Sequence, residues 1–179
     1  MVKSFEGGPL GNDTKGAKAI PHVYKQCPNV FGMFVRNKNG NIVVMEALTN
    51  PNGSIDKIES YWLDLEPSYR DAARKKGRKH DREEFGMFDN RGYGFTIKDT
   101  SDDRKKFIIY MNQLPRIPIT IASESYGVNA YVTLKGELCR LEYIYVHDQT
   151  ALGLFPTVEY IEVHGINRKR EKIVEKMVK

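Results

Sequence analysis

From Val30 onward the chain is cut into short runs rich in Val, Ile, Phe and Tyr, separated by Gly, Asn, Asp and Pro. β-branched and aromatic residues pack well on a pleated surface, and runs spaced roughly 8–12 residues apart with turn signals between them specify a sandwich or barrel. Val30 to Arg36 and Asn41 to Leu48 flank Asn37-Lys38-Asn39-Gly40, whose Asn and Gly accept the positive φ of a tight hairpin turn. Asn50-Pro51-Asn52-Gly53 marks the next turn, and Ile58 to Leu65, with the single tryptophan Trp62, the next strand. Further strands are expected over Tyr93–Lys98, Phe107–Asn112, Ile117–Ser123, Asn129–Leu134, Leu138–His147 and Val158–His164, with a tight turn at Lys135-Gly136. Pro115 and Pro118 bound or edge a strand, because proline donates nothing to a ladder. The expected fold is mainly β: an antiparallel barrel or sandwich of about eight strands with one short helical insertion.

That insertion covers about residues 67–90. Ser68 to Lys76 suits a short helix stopped by Gly77, and Asp81 to Phe88 suits a second with acidic residues at its N-terminal end. Residues 1–28 read as an N-terminal arm, since Gly7-Gly8-Pro9-Leu10-Gly11 and its neighbours show neither helical nor strand periodicity. Residues 29–179 form a single β domain. The last segment, Lys172 to Val178, fits either a helix, with apolar pairs four apart, or a closing strand after the turn at Gly165 to Arg170.

A chain of 179 residues, 40% hydrophobic, can bury a core without metals or disulfides. No apolar run reaches the roughly 20 residues that span a bilayer, and the first residues lack the apolar stretch of a signal peptide. Cys27 and Cys139 are too few for a disulfide framework, and Cys139 sits within a strand pattern as a buried thiol. A cytoplasmic, reducing location is expected.

Charge is unevenly placed. The net value is +5, yet Arg70 to Lys79 alone contributes +5 through Arg70, Arg74, Lys75, Lys76, Arg78 and Lys79 against Asp71. Arg168 to Lys179 adds +4, so the remainder is mildly acidic. Such patches attract phosphates and resemble a nuclear-localisation segment, but no aromatic residues interleave with the cations as a base-stacking platform requires. A solvated loop is the favoured reading over nucleic-acid binding.

No nucleophile elbow or phosphate-binding glycine loop occurs in the sequence. His22, His80, His147 and His164 show no metal-ligand spacing, and neither metal nor cofactor is expected. Some charged residues do look misplaced. Glu46 shares an alternating face with Ile42, Val44 and Leu48; were that face interior, the acid would need a partner, and Arg36 on the neighbouring strand is the candidate. Arg140 and Glu142 similarly interrupt the face of Leu138, Ile144 and Val146. A structural ion pair or a solvated edge would account for both faces. The functional alternative is a barrel lumen in which Arg36, Glu46, Trp62, Tyr131, Arg140 and Glu142 hold a small polar or amphipathic molecule.

Arg36-Asn37-Lys38-Asn39-Gly40-Asn41 leading into Val43-Val44-Met45-Glu46 resembles the opening of a family of uncharacterised domains. Tyr61-Trp62, Arg91-Gly92-Tyr93-Gly94, Ala130-Tyr131-Val132-Thr133, Leu141 to Val146, and Tyr160 to Gly165 follow in that family's order. The resemblance runs from about Val30 to the C-terminus and implies a calycin-like barrel, but no activity; the basic stretch 70–79 departs from the family pattern. With no motif for catalysis, the expected function is a non-catalytic β-barrel that binds an unidentified ligand. The alternative is a protein-interaction or assembly subunit that grips a larger complex through its arm and basic patches, with nucleic acid a possible contact. No membrane association is expected.

Overall fold

A computed structural model describes residues 28–36, 42–63, 82–84, 92–149 and 157–178. Among these residues eleven strands form one sheet: β1 (Val30–Arg36), β2 (Ile42–Thr49), β3 (Ile55–Leu63), β4 (Arg82–Glu84), β5 (Phe95–Thr100), β6 (Lys106–Met111), β7 (Leu114–Glu124), β8 (Gly127–Leu134), β9 (Glu137–Gln149), β10 (Thr157–Asn167) and β11 (Lys172–Val178). The order is β4-β3-β2-β1-β9-β8-β7-β6-β5, with β10 on β9 and β11 on β10. The expected mainly β class holds, and the sheet curls into a half-barrel.

β9 is where the sheet forks. Residues 137–140 pair antiparallel with β8, whereas residues 144–146 pair parallel with β1. β10 runs antiparallel along the opposite side of β9. One long strand thereby serves two wings, β1 to β4 and β8 to β5, which curve towards each other. At the fork, the backbone N–H of Val128 donates to Pro28 O at 2.7 Å and that of Ala47 to Asn29 O at 2.9 Å. Gly127 is required there: its φ is +138° and a Cβ would strike the Pro28 carbonyl.

The inner face carries the main core. Phe34, Val43, Met45, Ile109, Ile119, Ile121, Ala130, Leu134, Leu141, Ile144 and Val163 are all buried on it. Fully burying one such Leu, Ile or Phe side chain contributes about 1.5–3 kcal/mol. Met33, Val35, Ile42, Val44 and Tyr61 form a second buried cluster on the outer face of β1 to β3. Cys139 is a buried free thiol, and burial pushes its pKa up, as its place in a strand pattern implies.

Three expectations change. The ambiguous C-terminal segment is strand β11, paired with β10 from Tyr160↔Val178 to Ile166↔Lys172; its partly buried Ile173 and Met177 pack on the core, so period 2 prevails over the four-residue spacing. Within the expected helix Asp81–Phe88, Arg82–Glu84 is strand β4, pairing with Tyr61–Leu63 of β3; the ladder to β3 satisfies a backbone that local helix propensity does not hold. The rest of the 67–90 insertion, the cations Arg70, Arg74, Lys75, Lys76, Arg78 and Lys79, and the arm before Pro28 lie outside the described residues. Finally, β3 begins at Ile55 and not Ile58, because the turn after Thr49 is tied by Asn50 N–H to Ser54 O at 2.9 Å and by Asn52 Oδ1. The predicted turn at Lys135-Gly136 is present, with φ of 49° and 81°.

Candidate functional site

Among the described residues no ladder joins the two wings where they face each other: β5 ends one, and β3, whose Tyr61–Leu63 carry the short β4, ends the other. The seam is pinned at both ends. At one end the β5–β6 turn meets the start of β3: Ile55 N–H donates to Arg104 O at 2.8 Å, while Arg104 Nε and Nη2 donate to Ile55 O and Asp56 O, each at 3.1 Å. At the other end Tyr93 stands edge-on to Trp62 (ring centroids 5.3 Å apart) and to Phe34 (5.2 Å). Such aromatic pairs contribute about 0.5–1.5 kcal/mol beyond burial. Between the pins β3 runs about 23 Å at roughly 3.3 Å per residue.

Ile58, Ser60 and Trp62 of β3 line the inner side of this seam, paired with Ala47, Met45 and Val43 of β2, which all belong to the core. Phe95 of β5 and Tyr93 approach from the other wing, half-buried against the same core. The Ser60 hydroxyl is fully enclosed yet makes no hydrogen bond. Buried polar atoms are satisfied in the great majority of cases, so an orphan of this kind requires an explanation. Arg36, the last residue of β1, stands on the same inner face, two residues past Phe34 and opposite Val146.

Of the six residues that sequence reasoning placed in a common lumen, five divide between two faces and the sixth, Glu142, lies in a bulge. Arg36 and Trp62 are inside. Glu46 is outside, because Val43, Met45 and Ala47 point inward, and it accepts a hydrogen bond from Tyr61 OH at 3.1 Å rather than sharing a face with Arg36. Both faces of β2 are apolar over Ile42 to Met45, so alternation by itself gives no inside.

Tyr131 and Arg140 pair across β8 and β9 on the outer face. A bulge then reverses the phase of β9: Leu141 opposes Gly165 and Tyr143 opposes His164, leaving Glu142 as the extra residue. Arg140 therefore faces outward while Ile144 and Val146 face the core, and the single face expected from Leu138 to Val146 does not exist.

On the outer face the Glu124 carboxylate is well satisfied, whereas the buried Arg140 Nε makes no hydrogen bond. Glu124 accepts from Asn129 Nδ2 at 2.7 Å and Tyr131 OH at 2.8 Å, and it also bonds Tyr126. Burial alone would raise its pKa; the three hydrogen bonds, helped by the Arg140 charge, outweigh this and hold the carboxyl below its ordinary value. Burial and the bond to Glu124 push Tyr131 far up. Tyr143 stacks on His164 (4.2 Å, 15°) and is pushed up to about 12 by burial, with help from Glu142 and Glu162. Burial lowers the His164 pKa against the opposing pull of Glu162, whose Oε2 lies 3.2 Å from Nε2.

Sequence reasoning missed Ser60 and Tyr93. The alternation Ile58-x-Ser60-x-Trp62 carried a signal for the first, a lone hydroxyl on an otherwise apolar face. Tyr93 had none, since only the curl of the sheet brings it to Trp62. Among the described residues no group of three or more His, Cys, Asp or Glu could hold a metal ion, and no helix is long and apolar enough to cross a membrane.

No curated protein matches the chain significantly, and no solved structure does. A family model described as a domain of unknown function, DUF4833, matches residues 33–176, a span that includes Phe34, Arg36, Ser60, Trp62 and Tyr93. The seam residues described above lie within the matched span, and the chain belongs to this family.

Proposed function

We propose that the protein is a non-catalytic binding protein that takes a small amphipathic molecule into the seam between β3 and β5. The observation that carries this reading is the enclosed, unpartnered hydroxyl of Ser60 beside the rings of Trp62 and Tyr93. A ligand with one polar atom among apolar ones would satisfy that hydroxyl, which can both donate and accept, while its apolar body covers Ile58, Trp62 and Phe95. The Ser60 hydroxyl contacts no base, so it is not activated as a nucleophile, and this supports binding over catalysis.

Trp62 is the chain's single tryptophan, so its emission reports on the seam alone. Titration with N-phenyl-1-naphthylamine is expected to quench Trp62 by energy transfer with saturation at one equivalent, and Ser60→Ala is expected to weaken the binding. Linear, unsaturable quenching that is equal in both proteins would remove the reading.

A further inference from the structure

We infer that the molecule taken at this seam is an anion, its acidic group received by Arg36 and its apolar body lying on Trp62 and Tyr93; the inference rests on the binding reading above. Two independent features of the molecule point the same way.

The first is the polarity of the inner wall. Along the first two wing strands and β3, the inward side chains Phe34, Val43, Met45, Ala47, Ile58 and Trp62 are apolar, and only Ser60 and Arg36 break the pattern. Arg36 stands about 7 Å further along β1 than Phe34, at roughly 3.3 Å per residue. Phe34 in turn shares the ring cluster with Tyr93 and Trp62. A fused-ring or alkyl body resting on that cluster would carry a terminal oxyanion to the guanidinium without leaving the wall. A guanidinium presents five donors in a plane, so it can receive a carboxylate or sulfonate while keeping another contact.

The second is charge. Leu63 and Arg82 are paired at the end of the β3–β4 ladder, and the chain between them includes the +5 decade Arg70 to Lys79. β1 ends at Arg36 on that same end of the sheet, since Ile42 pairs with both Val35 and Leu63. Leu63 and Arg82, the described residues that flank this stretch, thus stand at the end of the sheet where Arg36 lies, and the net charge of +5 raises the local concentration of anions.

The test uses two probes with one body. 8-Anilinonaphthalene-1-sulfonate is N-phenyl-1-naphthylamine with a sulfonate added, and both report through Trp62. The full-length protein is expected to bind the sulfonate at least ten-fold more tightly than the neutral amine. Arg36→Gln should bring the two to parity, and Arg36→Lys should restore part of the preference. Circular dichroism and the unchanged affinity of the neutral amine would show that Arg36→Gln is folded. Equal affinity of the two probes for the native protein, or a preference that survives in Arg36→Gln, would overturn the anion inference and leave the seam reading standing. If neither probe saturates, the seam reading falls and this inference with it.

Discussion

Ser60 and Glu124 are both polar residues on strands of one sheet, and they are treated in opposite ways. Glu124, on the outer face of β7, has three hydrogen-bond donors around its carboxylate, with the Arg140 charge nearby. Ser60, on the inner face of β3, has an enclosed hydroxyl and no partner at all. A carboxylate so fully served ties the β7–β8 hairpin together, and it has little capacity left for anything that arrives from solution. A hydroxyl left unserved inside an apolar wall costs stability until something arrives to pair with it. The Glu124 network is structural, and the Ser60 hydroxyl is the atom on which the proposed binding function rests.

The comparison can be broken or sharpened in four ways. The largest effect is expected from Phe34→Ala, which removes a fully buried ring from the core and from the Tyr93 cluster; it should cost about 3–5 kcal/mol in a denaturant titration. A loss below about 1 kcal/mol would mean that the ring cluster does not support the seam. Next, Glu124→Ala should cost about 1–3 kcal/mol, because it strands the Asn129 amide, which is only 3% exposed. A neutral Glu124→Ala would undo its assignment as a structural node.

Ser60→Ala should act in the other direction and stabilise the unliganded protein by about 1 kcal/mol, since it deletes a buried group that pays desolvation without a bond. A lower melting temperature for Ser60→Ala would show that the hydroxyl has a partner after all. The smallest effect concerns acid. The folded pKa of His164 is depressed, so the unfolded chain binds more protons than the native one in the window below the ordinary value of 6.5. The contribution of His164 is therefore complete above pH 6.5 and fades as pH falls through the folded value. His164→Gln should flatten the stability profile in that window; an unchanged slope would show that the outer face does not sense pH through this ring.

Much of this was legible in the chain. The strand runs and the turns at Asn50–Gly53 and Lys135-Gly136 follow from β-branched alternation and from residues that accept positive φ. The family could also be recognised from ordered packing motifs alone, and it is the one whose model spans residues 33–176. The site was half legible. Arg36 and Trp62 stand on the inner wall, but Glu46, Tyr131 and Arg140 are on the outside and Glu142 is the extra residue of a bulge. Two physical facts hid this: β2 is apolar on both faces over Ile42 to Met45, and the bulge at Glu142 reverses the phase of β9 midway.

The sequence by itself determined that this is a sheet protein with a buried Cys139 and unevenly distributed charge, because period, turn chemistry and composition are local properties. Only the tertiary structure decided which face is inside, that β9 feeds two wings, and that Tyr93 meets Trp62 where, among the described residues, no ladder joins the wings. Those outcomes depend on how far a twisted sheet curls and on where single extra residues break its register, and no window of the sequence contains that information.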